Sequence, residues 1–348
     1  MIFHITDKGL QMIHTGLFDW QTRFEQLDNG SDPLVKLNKI VDWEQFRNCL
    51  ENIRDKERKS CAGRKPFDSV VMFKIMILQS LYNLSDDQVE FQIRDRLSFM
   101  RFLGFSISDT VPDAKTIWLF REQLTEAKLI KKLFYQFDEF LNNNGFSAKK
   151  GQIVDASIVS APKQRNSRQE NNDIKNGDIP EHWSENKKCQ KDTDARWIKK
   201  NGENRFGYKN HIDADVEHKL IRDYEVTPAS VHDSNVFEQL LDHDNSSRDV
   251  FADSAYGSCE KLEALKKLGF RSNVQRKGCR YKKLNERQQT INHKRAKVRC
   301  RIEHIFGVQA MKAGSLLIRT IGLVRAKAKI GLRNLAYNID RYCLLVQA

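Results

Sequence analysis

The pattern of apolar and polar positions divides the chain into two kinds of element. Between residues 61 and 146 apolar side chains recur at i, i+3 and i+4, the spacing of helices that bury one face. Asp68 stands where a helix running to about Tyr82 would be capped. Ser85, with Asp86 and Asp87, opens a second in SDDQVEFQIRDRL, and Asp113 opens a third in DAKTIWLFREQL. EAKLIKKLFYQFDEFL repeats the spacing, and NNNG at 142–145 closes the block. The prediction is an all-α unit; short helices on short turns suit a helix-turn-helix DNA reader and a plain small bundle alike. Residues 1–60 precede it as a segment of short amphipathic pieces, broken by DNGSDP and ending in the charged run RDKERKS.

After Gly151 the period drops to two. GQIVDASIVSA predicts a strand, and the polar stretch 162–205 a long excursion outside the core. RFGYKNHIDADVEHKLIRDYEVT predicts a hairpin turning near Asp215 to His218. A helix capped by Asp233 (DSNVFEQLLDH) follows, then the strand DVFADSAYG and a helix, CEKLEALKKLG, ended by Gly269. A further strand, FRSNVQRK, leads into a long basic helix from about Asn285 past Glu303. Strands and helices alternating over residues 150–345 predict an α/β layer with mixed strand directions.

Two of these strands contain a carboxylate. Asp155 interrupts GQIVDASIVSA and Asp253 interrupts VFADSAYGS. A carboxylate among Ile and Val is costly unless it is paired or binds a metal. Glu303, beside Ile302, Ile305 and Phe306 on the apolar edge of the basic helix, is placed to face the same sheet. Each residue has a structural alternative: Asp253 could cap the turn into SAYG, Asp155 could pair with a lysine, and Glu303 could pair with Arg299 one turn back. Asp213 and Asp215 read as ordinary turn chemistry. Together, Asp155, Asp253 and Glu303 form the oxygen-rich set that Mg²⁺ favours and that two-metal phosphoryl transfer uses, with Mn²⁺ as a substitute.

Charge supplies the substrate class. The 348 residues include 59 Lys and Arg against 46 Asp and Glu, a formal charge of +13. The excess is clustered: the 26 residues from Arg276 to Arg301 hold eleven Lys or Arg and one acid, Glu286. Lys294, Arg295, Lys297, Arg299 and Arg301 on the helix, with Lys312 beyond it, are candidate DNA contacts. Trp183 and Trp197 in the polar excursion could stack on a base or pack locally. The seven cysteines are scattered without a CxxC pair, which indicates neither a disulfide framework nor a structural zinc site. The N-terminus has no apolar signal region, and VVMFKIMIL is too short to span a bilayer. The expectation is a cytoplasmic protein, nucleoid-associated when bound to DNA, with no membrane partner.

VDASIV, FGYKNHIDADVEHKLIRDYEVTPASVHDSN, VFADSAYGS and KVRCRIEHIFGVQ, in that order, resemble the DDE transposases of bacterial insertion sequences, in the branch typified by insertion sequence five. RKPFDSVVMFKIMILQSLYNLSDDQVEFQIRDR and VPDAKTIWLFREQL resemble that branch's helical domain, so the likeness covers roughly residues 60–345. It implies an RNase H-like catalytic domain. Asp155, Asp253 and Glu303 would then be the three metal-binding carboxylates, and Arg299 the arginine one turn before the glutamate. Ala296 and Ala310 stand where a sister branch has Tyr and Lys, with Lys312 nearby, so other basic residues must make those phosphate contacts. The implied reaction is cleavage at the element's terminal inverted repeats followed by strand transfer into target DNA, on double-stranded DNA held by a homodimer. A non-catalytic DNA-binding relative is the first alternative, and an intact carboxylate set argues against it. A structure-specific nuclease with the same metal chemistry is the second.

Overall fold

The computed structural model describes residues 2–6, 9–13, 19–30, 32–53, 65–200, 202–278, 283–312, 314 and 316–347; the RDKERKS run, Cys61, Cys279 and residues 280–282 of the basic stretch lie outside them. A hairpin of β1 (Ile2–Thr6) and β2 (Gly9–Ile13) opens the chain. Helices follow: α1 (Asp19–Asn29), α2 (Pro33–Ile40), α3 (Arg47–Glu51), α4 (Ser69–Tyr82), α5 (Asp86–Asp95), α6 (Leu97–Leu103), α7 (Ala114–Glu126) and α8 (Leu129–Asn143). The caps fall where the sequence puts them. Asp68 accepts from the amides of Val70 and Val71, Ser85 forms a capping box with Gln88, and Asp113 accepts from Thr116. One boundary moves: Lys128 adopts a left-handed conformation (φ 54°), so Glu126 ends α7 and the last helix starts at Leu129.

The second half holds β3 (Gln152–Ser160), α9 (Arg168–Asn176), α10 (Glu185–Gln190), β4 (Arg196–Lys200), β5 (Glu203–Asp215) and β6 (Ile221–Pro228). These are followed by β7 (Asp249–Phe251), α11 (Cys259–Lys267), β8 (Arg271–Ser272), α12 (Glu286–Lys312) and α13 (Leu323–Val346). The sheet runs β5–β3–β7–β8, with β6 and β4 sharing the outer edge of the long β5. β6 and β3 each run antiparallel to β5 between them, whereas β7 joins β3 in parallel and β8 joins β7 in parallel. Three meandering strands followed by two parallel ones make the mixed sheet of an RNase H-like fold. Gly151 sets the β3–β7 contact: its φ is 96°, and a Cβ there would stand 2.7 Å from the Asp249 carbonyl oxygen.

Two expectations change. Asp233 opens no regular helix; His232 caps a 3₁₀ turn at Asp233–Asn235 and a second turn follows at Glu238–Leu240. Asp233 instead pairs with the buried Lys209 at 2.7 Å. The polar stretch 162–205 is also more ordered than its composition indicates. Glu170, buried in α9, accepts from Trp183 Nε1 (2.5 Å) and Lys187 Nζ (2.8 Å) and so ties the excursion together. Trp183 is buried, so its role is packing; Trp197 is exposed.

One core runs from α2–α8 through one face of the sheet (Ile153, Val159, Tyr208, Ile212) to α12 and α13. The opposite face packs a smaller cluster around Val154, Phe237, Val250, Tyr256 and Leu265. α13 is buried along much of its length because it packs on the helical half and the sheet together. Asn338 bonds the backbone of Ile221, and Asn334 bonds Asn210, so the helix docks on β5 and β6 through amides. Arg222 pins the halves together from the other side. It reaches Asp215 in the sheet, Asp138 in α8 (2.8 Å) and the Phe146 carbonyl (2.5 Å). Among the described residues no helix is long and apolar enough to cross a membrane.

Candidate active site

The parallel register of β3 and β7 builds the site. Ile153 is paired with Phe251, and two residues further along each strand lie Asp155 and Asp253. With a side-chain period of two, both carboxylates fall on the face of Ile153, the face that α12 covers through Ile302 and Ile305. β7 ends at Phe251, so Asp253 stands just past a strand end, where it caps the 3₁₀ turn Ser254–Tyr256 by accepting from Ala255 (2.8 Å). The cap uses Oδ1; among the described residues no hydrogen bond reaches Oδ2.

Arg299 on α12 donates to Asp155 Oδ2 at 2.8 Å and, through its other terminal nitrogen, to Glu303 Oε1. The guanidinium therefore bridges two of the three expected carboxylates. Burial pushes Asp155 up to about 6, opposed by the Ala156 amide and by Arg299 and assisted by the negative charge of Asp253. The hydroxyl of Tyr256, buried and without a hydrogen bond among the described residues, also feels Asp155 and Asp253 and is pushed up, chiefly by burial. Glu303 is more than half exposed and joins the pair only through Arg299. As they stand, no three His, Cys, Asp or Glu side chains among the described residues are grouped to hold an ion. The donor set nevertheless suits a hard divalent cation, and a cationic group already sits between two of its members.

The basic helix divides into two sets. Arg295 donates to the Val274 carbonyl (2.6 Å), and Arg301 to the Val216 carbonyl, so both anchor α12 to neighbouring loops. Lys294 and Lys297 are exposed, and no hydrogen bond or ion pair among the described residues reaches either ammonium. Lys312 pairs with Asp340 on α13. Sequence reasoning had no means of making this division, since a solvent-facing cation and a carbonyl-binding one look the same in a basic run.

It also misreads Asp213. Asp215 does serve the turn, accepting from the amides of His218 and Leu220. Asp213 lies within β5 opposite Val154, fully buried, and neither carboxylate oxygen has a hydrogen-bond partner among the described residues. Burial, aided by Asp242, Asp223 and Asp215, holds it well above the usual carboxylate range. The sign of its linkage follows: a raised folded pKa adds stability below the unfolded value, and that stability is lost as pH rises toward the folded one. Asp213→Asn should therefore be more stable than wild type at pH 7. Over the pH range between those two pKa values its advantage should shrink toward pH 4 by about 1.4 kcal/mol per unit. Urea midpoints at four pH values measure this; a constant difference between the two proteins would mean that Asp213 does not take up a proton on folding.

Residues 22–123 match the family described as Transposase domain (DUF772). Residues 147–339 match the family described as Transposase DDE domain, a span of more than half of the 348-residue chain. Among solved structures, a piggyBac transposase in a synaptic complex with hairpin DNA is similar over 92% of this chain and 76% of its own, at 10% identity and a TM-score of 0.47. The second of the family matches spans the six-stranded sheet and includes Asp155, Asp253 and Glu303, and on it the chain belongs to the DDE transposases.

Proposed function

We propose that this DNA-cleaving transposase cuts at the terminal repeats of an insertion sequence and transfers the freed ends into target DNA at the edge formed by Asp155, Asp253 and Glu303. The observation that carries the reading is that the β3–β7 register brings Asp155 and Asp253 side by side, two residues beyond the Ile153–Phe251 pair, with Arg299 linking Asp155 to Glu303. The family is dependent on divalent metal; Mg²⁺ is the proposed ion, with Mn²⁺ able to replace it. Asp155, Asp253 and Glu303 would hold it. When bound, it would neutralise charge at the attacked phosphorus and acidify the attacking hydroxyl.

The remaining catalysis is positioning. Water attacks the phosphorus and the bond to the 3′-oxygen breaks; the resulting 3′-hydroxyl then attacks a target phosphodiester in line, joining to its phosphorus while the target's own bond to the 3′-oxygen breaks and that oxygen takes up the proton. Asp155, set in the sheet and half-buried by α12, offers a fixed carboxylate; Asp253 is oriented by its cap and leaves Oδ2 available. Arg299 balances the negative charge while no cation is bound, and it is placed to turn toward a DNA phosphate once one is. Lys294 and Lys297, on the same helix, are the free cations for the flanking backbone. Two copies would hold the two ends, and the reaction would take place in the cytoplasm on the nucleoid. The assignment to the branch of insertion sequence five rests on the sequence motifs alone.

Incubating the protein with duplex carrying an element end, with Mg²⁺ or with EDTA, tests the reading. Cleavage leaving a 3′-hydroxyl and joining to a target plasmid are expected in Mg²⁺ only, with light scattering giving two protein chains per pair of ends. A folded protein that cuts no end-bearing duplex in either Mg²⁺ or Mn²⁺ would sink it; joining of paired ends by single copies would sink the dimer.

A further inference from the structure

A second group of cations lies outside the carboxylate site, where the start of α5, the segment 317–320 and α13 enclose a cavity of about 380 Å³. Lys329 of α13 lines it, and no hydrogen bond or ion pair among the described residues reaches its ammonium. The one carboxylate in the lining, Asp86, is committed elsewhere: Arg121 grips both of its oxygens (2.6 and 2.7 Å), and Gln79 adds a third bond at 2.7 Å. Burial pushes Lys329 down to about 8, and the charge of Arg121 opposes it further. Among the described residues, Thr320 contributes a buried hydroxyl without a hydrogen bond, and Arg319 lines the cavity with an exposed side chain that forms no ion pair.

Behind Lys329, one turn along α13, Arg333 is 6% exposed; among the described residues its Nη1 has no hydrogen-bond partner, and its Nη2 donates to Asn83, itself a lining residue. Three cations therefore line the cavity and a fourth backs it, against one carboxylate that is already neutralised. Unpaired charges are costly to bury unless something in the functional state neutralises them. A group that carries negative charge and accepts hydrogen bonds from several directions answers both the ammonium and the free hydroxyl.

We propose that this cavity is a phosphate-binding subsite, occupied by a backbone phosphate of the DNA on which the enzyme acts. Its placement suits that source. The segment carrying Arg319 and Thr320 is fastened to the end of β3 by the Ser160–Leu317 bridge, five residues beyond Asp155. That is about 17 Å along the strand, or roughly five base pairs of duplex. The proposal rests on the DNA-cutting reading above; the phosphate chemistry itself does not.

Replacing Lys329 and Arg319 together with Gln tests it, beside a control in which Lys294 and Lys297 become Gln. Removing an unpaired, half-buried ammonium should leave the fold intact, with an unchanged or higher melting temperature. Binding to end-bearing duplex should weaken, and the slope of log affinity against log salt should fall by about one, for the single phosphate left without its cations. In a second arm, inorganic phosphate is added to wild type at matched ionic strength. A melting-temperature rise that the double variant lacks, with an unchanged DNA slope, would retain the phosphate site and assign its occupant to a free anion. If the control lowers the slope while the pocket variant changes neither slope nor phosphate response, the subsite is wrong and the DNA reading stands. If wild type binds duplex with no salt dependence at all, the DNA reading fails first.

Discussion

Asp253→Asn is expected to lower DNA cleavage by about a thousandfold or more while the protein stays folded. The two halves of this expectation have separate causes. Asn caps a helical turn as well as Asp does, so the hydrogen bond from Ala255 survives and the stability cost is small. What disappears is the charge on Oδ2, the oxygen that no neighbouring side chain uses. Asp155→Asn should cut as poorly but for a different structural outlay. Its folded pKa, raised to about 6, means that the wild type loses stability as pH rises from about 4 through 6, and the Asn variant should not. Without metal, that variant should therefore melt higher than wild type at pH 7. Glu303→Gln should cleave poorly with little change in stability, because Glu303 is exposed. Nicking rates and melting curves with and without Mg²⁺ check all three, with the Mg²⁺-induced rise in melting temperature absent from each. An unfolded Asp253→Asn protein would make the residue a structural cap, and near-wild-type cutting would break the triad.

Arg222→Leu is expected to destabilise the protein by about 3–5 kcal/mol, a large share of the stability of an ordinary domain. Asp215 is fully buried, and Arg222 is the one cation that pairs with it at close range without needing to be protonated first. Leucine fills the volume but leaves that charge with only the His218 and Leu220 amides. It also frees Asp138 and the Phe146 carbonyl, so the substitution loosens the docking of α8 on the sheet. Adding Asp215→Asn should recover part of the stability, because the uncompensated charge is then gone. Guanidinium midpoints of the single and double variants measure both; a loss under about 1 kcal/mol would show that water reaches the pair.

Much of the local structure was legible because short-range chemistry writes it. Asp68, Ser85 and Asp113 announced their helices, and GQIVDASIVSA and the hairpin announced their strands, since a cap or a period of two involves only neighbours in sequence. The failures share a cause. DSNVFEQLLDH has helical spacing, yet the chain there must follow the sheet face and cover Phe237 and Leu240, and it does so as two 3₁₀ turns. DVFADSAYG and FRSNVQRK read as full strands, but β7 and β8 keep only three and two paired residues. In the first case this leaves Asp253 outside the ladder, oriented by a cap.

By itself, then, the sequence determined the period of each element, most of its ends, the two carboxylates embedded in apolar strands and the bias toward a polyanionic partner. Each of these is settled by residues within a few positions of one another. Tertiary structure alone decided which polar residues meet water. Along β5, Lys209, His211, Asp213 and Asp215 alternate with Tyr208, Asn210, Ile212 and Ala214, a pattern that on its own describes a half-solvated strand. The segment after His232 closes over one face and α13, through Asn334 on Asn210, over the other, so all eight are buried; among the described residues Asp213 has no hydrogen-bond partner, and Lys209 pairs with Asp233. The same holds for the basic residues: only the approach of the Val274 and Val216 carbonyls turns Arg295 and Arg301 into anchors and leaves Lys294 and Lys297 free. Periodicity fixes the face on which a side chain lies, whereas desolvation depends on what arrives opposite that face from elsewhere in the chain.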